Sequence, residues 1–133
     1  MFEAVDHVVI SVPDLDAGIA QYEAILGTSV SRQGEPPGAG FKNAYFDFAD
    51  NCIELVSPTS DEGPVGKHVA RTGGGMYLMA LRVDDVESTV ADLRAKGVPL
   101  IGDPGEGTPI QGQVFVHPKA AGGVLVQITA GGQ

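Results

Sequence analysis

One block of pattern occurs twice in this chain, and that repetition limits what it can fold into more than any other feature. Residues 6–15 read "DHVVISVPDL" and residues 77–86 read "YLMALRVDDV". Overlaid, each gives an alternating, β-rich run, then an acidic turn, then a helical pattern. In "PDLDAGIAQYEAILG", Asp14 or Asp16 serves as the helix cap. Leu15, Ile19, Tyr22 and Leu26 fall near helical spacing, and Gly27 ends the helix. In "DDVESTVADLRAKG", the start is acidic, Val86, Val90 and Leu93 form the buried stripe, and Gly97 follows. "FKNAYFDFAD" and "NCIELVSP" then predict a hairpin with "ADN" as its turn, while "QVFVHP" and "GGVLVQIT" predict the closing strands of the second half. The expected organisation is one domain. It has a first module at about 1–58, a linker at about 59–72 with a short helical "VGKHVAR", and a second module at about 73–133. The loop "GDPGEGTP" is rich in glycine and proline and is placed to lie over a site.

Composition narrows the function. Hydrophobic content of 43% with 19% charged residues is that of a globular protein, and no apolar run is long enough to span a bilayer. "MFEAVDHVVI" lacks the basic start and cleavage site of a signal peptide. The single cysteine, Cys52, permits no internal disulfide, which suits a cytoplasmic location. A net charge of −9 argues against nucleic acid and anionic membranes as partners and leaves a small molecule as the expected one.

Two βαβββ modules in tandem resemble the vicinal oxygen chelate superfamily, which includes glyoxalases, epimerases, extradiol dioxygenases and antibiotic-binding proteins. The segments "DHVVISVPDLDAGIAQYEAILG", "IELVSP", "GGGMYLMALRVDDV" and "HPKAAGGVLVQI" look closer still to the methylmalonyl-CoA epimerases. The resemblance covers nearly the whole chain. It implies an α+β fold in which the two modules form a curled mixed sheet, a cup around a small ligand. It also implies a homodimer.

Strand parity then sorts the side chains. His7, Val9 and Ser11 face the expected cup, as do Cys52, Glu54 and Val56, then Leu78, Ala80 and Arg82, and finally Leu125, Gln127 and Thr129. His7 pairs with Leu78 across the repeat (78 − 7 = 71), and Glu54 with Gln127 (127 − 54 = 73). By resemblance these are the superfamily's four metal-ligand positions, where His, Glu or Gln is expected. Leucine offers no donor and glutamine only a neutral one, so the expectation is no cofactor. If an ion does bind, His7, Glu54 and Gln127 are its ligands. The epimerases are thought to move the proton with carboxylates at the fourth ligand position and on the hairpin strand. The matching residues here are Gln127 and Asn43, and amides do not titrate near neutral pH.

His7 and Glu54 remain as an acid–base pair. Asn43, Tyr45 and Gln127 would orient a substrate, with Asp47 on the same strand face as Tyr45. Arg82 is a candidate clamp for an anionic group, or else a rim ion pair. Leu78, Leu125, Val9 and Val56 would give an apolar floor. Tyr77 should point away, Cys52 reads as packing, and His117 and Lys119 belong to a turn-forming loop. His68 reads as solvated surface in the linker. The leading expectation is a metal-independent isomerase, cyclase or lyase acting on a small, largely apolar substrate in secondary metabolism. The alternatives are a non-catalytic, antibiotic-sequestering binder and a methylmalonyl-CoA epimerase with a rearranged site.

Overall fold

The computed structural model describes residues 1–131, so the last two positions of the second module lie outside the described residues. The elements run β1 (Phe2–Ser11), α1 (Leu15–Leu26), β2 (Arg32–Gly34), β3 (Phe41–Asp47), β4 (Cys52–Pro58), α2 (Pro64–Thr72), β5 (Gly75–Val83), α3 (Val86–Ala95), β6 (Leu100–Ile101), β7 (Val114–Val116) and β8 (Leu125–Thr129). The βαβββ order therefore appears twice, with α2 as the link. Two strands were not foreseen. β2 is a fully exposed "RQG" and β6 is two residues long, so neither carries an alternating signal. The chain separates into two compact units, Val8–Tyr77 and Met1–His7 with Leu78–Gln133. Both β1 and β5 contribute residues to each.

In the Val8–Tyr77 unit, neighbouring strands run β2-β3-β4-β1. β3 and β4 form the expected hairpin, from Phe41 opposite Pro58 to Asp47 opposite Cys52. The Phe48 N–H closes the turn on the Asn51 carbonyl at 2.8 Å. Ala44, Phe46 and Leu55 point to one face and pack with Val12, Leu15 and Ile19 under α1. Phe46 and Leu55 are almost wholly buried, and each such side chain contributes roughly 1.5–3 kcal/mol. Asp14 sits at the N-cap of α1 but makes no side-chain cap bond. The helix ends on Gly27, whose φ of 69° is the left-handed conformation that glycine takes without strain.

In the other unit the order is β5-β8-β7-β6. β5 and β8 are parallel, with Leu78 opposite Leu125 and Ala80 opposite Gln127. β7 is antiparallel to β8, with Phe115 opposite Gln127. Val83, Val116, Val126 and Ile128 form the core, with Met79, Leu81, Val86 and Leu93 packed against it. Asp85 caps α3 by accepting from the Glu87 N–H at 3.2 Å. The Gly/Pro-rich loop is held against α3 at two points. Arg94 grips Asp103 with two bonds of 2.9 and 2.6 Å, and the Ile110 N–H donates to Glu87 at 2.9 Å. No helix of the described residues is long and apolar enough to cross a membrane.

Candidate functional site

With Ala44, Phe46 and Leu55 committed to α1, the alternation of β3 and β4 sends Asn43, Tyr45 and Glu54 to the opposite face. Tyr45 lies directly across from Glu54 in the ladder. Glu54 and Asn43 are 7% and 5% exposed. The Asn43 amide donates to Glu54 Oε2 at 3.0 Å and to the Tyr45 hydroxyl oxygen at 3.2 Å. A carboxylate taken out of water is expensive unless it is hydrogen-bonded, and the amide supplies that bond. Burial first, then the nearby Glu54 charge, pushes the Tyr45 hydroxyl up to about 12. Tyr45 thus keeps its proton at neutral pH and serves as a donor, not as a base.

Arg32 lies over the Tyr45 ring, 3.8 Å from its centroid. Two bonds of 3.2 and 3.1 Å fasten that guanidinium to Asp47. Asp47 is therefore engaged in holding Arg32 flat on the ring. This is a face of aromatic and cation that favours mutual contact.

His68 differs from its sequence expectation. It is 9% exposed, not solvated. It sits on α2 one turn after Val65, and its Nδ1 lies 2.7 Å from Ser11 Oγ. Its ring also packs on Tyr77 at 5.0 Å. The physical reason is helical spacing: Val65, His68 and Thr72 share a face of a short helix that the linker reading treated as polar. Burial, and then the charge of Arg71, lowers the His68 pKa.

In the Met1–His7 and Leu78–Gln133 unit, His7 is 3% exposed and its Nδ1 lies 2.9 Å from Asp6 Oδ2. Arg82 is directed at carboxylates of its own chain: Asp6 at 3.6 Å and Glu3 at 4.0 Å. Leu78, Ala80 and Gln127 are buried on the face opposite the α3 core. Leu125 is half-buried beside Leu78. Gln127 is 6% exposed and lies opposite Phe115 in the ladder. His117 Nδ1 accepts from the Lys119 N–H at 3.1 Å within a 3₁₀ turn, so this segment has a turn-forming role.

The donor chemistry does not fit a divalent ion at the four repeat-related positions. Leu78 offers no donor, and Gln127 only a neutral one. Among the described residues no three His, Cys, Asp or Glu side chains are grouped so as to hold a metal.

Sequence reasoning did not single out Asp6, Phe115 or a buried His68. Phe115 was recoverable from parity, since the register that buries Val114 and Val116 turns it to the Gln127 face. Asp6 was not, because alternation sends it away from its neighbour.

A family model described as a glyoxalase-like domain matches residues 5–120. Human mitochondrial methylmalonyl-CoA epimerase is 31% identical over 128 residues, covering 92% of this chain and 71% of that protein. The ethylmalonyl-CoA/methylmalonyl-CoA epimerase of Cereibacter sphaeroides is 29% identical over 131 residues, covering 96% and 98%. Among solved structures, a variant of Streptomyces coelicolor methylmalonyl-CoA epimerase in complex with 2-nitronate-propionyl-CoA superposes with a TM-score of 0.79, at 32% identity and 96% of each chain. The Mycobacterium tuberculosis methylmalonyl-CoA epimerase gives 0.79 at 30% identity, covering 97% of this chain and 88% of that one.

Proposed function

Because the chain belongs to the glyoxalase-like family of the vicinal oxygen chelate superfamily, we propose that it is an isomerase that moves an α-proton of an acyl thioester without a bound metal. One observation carries this reading: a carboxylate, Glu54, buried to 7% exposure and held by an amide at 3.0 Å. Buried titratable groups fixed by neutral partners are what general acid–base catalysis requires. Glu54, in the Val8–Tyr77 unit, is the acid–base group. Its carboxylate accepts the α-proton, the carbon–hydrogen electron pair moves onto the thioester oxygen, and the carboxyl group so formed returns a proton to carbon as that pair moves back. Tyr45 and Asn43 orient Glu54. The relatives supply the thioester class: they are named for malonyl-type CoA esters.

The test is deuterium wash-in at the α-carbon, followed by mass spectrometry, on chelator-dialysed protein with propionyl-CoA and methylmalonyl-CoA. Exchange with propionyl-CoA that survives chelation and falls about 10²–10⁴-fold in Glu54→Gln is the expected result. Exchange that appears only with added cobalt, or none with either thioester, overturns the reading. A second reading, a non-catalytic binder, draws on Phe115, an aromatic beside Gln127. Recovery of an unaltered small molecule, bound one to a chain from expression, would establish it.

A further inference from the structure

Asn43 holds two oxygens at once. Its Nδ2 donates to Glu54 Oε2 at 3.0 Å and to the Tyr45 hydroxyl oxygen at 3.2 Å, one hydrogen for each. Tyr45 and Glu54 are therefore tied at their tips as well as opposed in the ladder. All three side chains belong to the Val8–Tyr77 unit. Because the phenol oxygen accepts from Asn43, what it has to give is its own hydrogen. At rest that hydrogen goes to Glu54, which hydrogen-bonds the hydroxyl. Glu54 is almost wholly buried and Tyr45 half-buried, so the phenol is the more exposed of the two. Its ring is held in place. Arg32 lies 3.8 Å from the ring centroid and is itself fastened to Asp47 by bonds of 3.2 and 3.1 Å. The heavy atoms are thus fixed, while the hydroxyl hydrogen can still rotate about its carbon–oxygen bond.

We propose that Tyr45 is a catalytic residue whose O–H turns its hydrogen bond from Glu54 to the enolate oxygen of the substrate as the α-proton is taken. The inference rests on the reading of Glu54 as the base, and it adds the donor that such a reaction needs. Before the step the negative charge sits on Glu54. The carboxylate gains the α-proton, and the carbon–hydrogen pair passes through to the thioester oxygen. The charge has then moved to an oxygen two bonds from the α-carbon, beside the base. Tyr45 keeps its proton throughout, and only the direction of its O–H changes. Its acidity changes in the same sense. Burial, and then the Glu54 charge, hold the hydroxyl at about 12, while Arg32 over the ring pulls it down. Neutralising Glu54 removes the second of these influences and leaves Arg32, so the phenol becomes a stronger donor as the enolate forms. A donor aimed at charge that develops only along the reaction lowers the barrier and leaves substrate binding alone.

The experiment compares the wild type with Tyr45→Phe, using 2-nitronate-propionyl-CoA as a stable anionic stand-in for the enolate. In the variant, kcat for α-proton exchange with propionyl-CoA should fall about 10²–10³-fold with KM little changed. The nitronate should bind the variant more weakly by a similar factor, while propionyl-CoA binds both proteins alike. A tyrosine that only packs would move both affinities together or neither. Exchange at the wild-type rate, or a nitronate held as tightly as by the wild type, overturns the proposal. If the wild type exchanges neither thioester, the isomerase reading fails, and the nitronate affinities alone decide whether Tyr45 is the donor. If Glu54→Gln exchanges at the wild-type rate while Tyr45→Phe is slowed, the base reading fails and the donor stands. Should Tyr45→Phe not fold, 3,5-difluorotyrosine at position 45 keeps the hydroxyl but makes it more acidic. That protein should lose the nitronate at mildly alkaline pH, where the wild type keeps it, and retention there overturns the proposal.

Discussion

Glu54 on β4 and Gln127 on β8 occupy matching places in the two modules, and so do the residues across the ladder from them. Tyr45 faces Glu54, and Phe115 faces Gln127. The backbone arrangement is the same. The chemistry is not. The first module pairs a carboxylate with a hydroxyl, and the second pairs a neutral amide with a bare ring. His7 and Leu78 repeat the contrast on β1 and β5. A duplicated frame fixes where side chains point through alternation and register, but it leaves their ionisation free. One copy can then keep the titrating groups while the other offers packing and a neutral donor.

The contrast breaks most sharply at Glu54. Glu54→Gln makes the first module resemble the second with almost no change of volume, and the Asn43 amide keeps an oxygen to bond. Exchange of the α-proton should fall about 10²–10⁴-fold while the folded spectrum is retained. The reverse substitution sharpens the comparison. Leu78→His together with Gln127→Glu gives the second compact unit three donors with His7, the number that holds a catalytic zinc ion. Metal content measured by mass spectrometry should rise to about one ion per chain in the double variant. A double variant that stays empty would show that these positions do not converge as the repeat implies.

The cores differ in the same way. Phe46 on β3 corresponds to Val116 on β7, and both pack under the helix of their module. Phe46→Ala should cost about 3–5 kcal/mol by urea titration. Val116→Ala removes two carbons and should cost about 1.5 kcal/mol, at roughly 0.8 per buried CH₂. Equal losses would mean that the second core relaxes less well than its smaller side chains suggest.

Much of this was legible in the sequence, for a physical reason. Alternation in a long strand is a strong signal, and it placed Ile53 and Leu55 under α1, and Met79, Leu81 and Val83 under α3. It also put Asn43, Tyr45 and Glu54 together on one face, where Asn43 hydrogen-bonds both others. What it missed were contacts that parity cannot carry. Asp6 reaches His7 from the next position along the strand. Ser11 meets a helix lying 57 residues further on. β2 and β6 are too short and exposed for any period to show.

The smallest expected effect separates the two units through α2, which has no counterpart in the second module. His68 is buried against Ser11 and Tyr77, and burial first, then Arg71, lowers its folded-state pKa below the ordinary 6.5. The unfolded chain therefore binds this proton more readily than the folded one does. Stability rises with pH across the interval between the lowered value and 6.5, and it is lost as pH falls through that interval. Urea midpoints measured on either side of 6.5 should drop on acidification in the wild type. In His68→Gln, which retains a hydrogen-bonding side chain but does not titrate, the drop should be smaller by the share owed to this one group. Every other group is common to the two proteins, so the difference between the two slopes isolates His68. Parallel slopes would mean that α2 lets water reach the imidazole, and that the Ser11 contact is no stronger than the solvent it replaces.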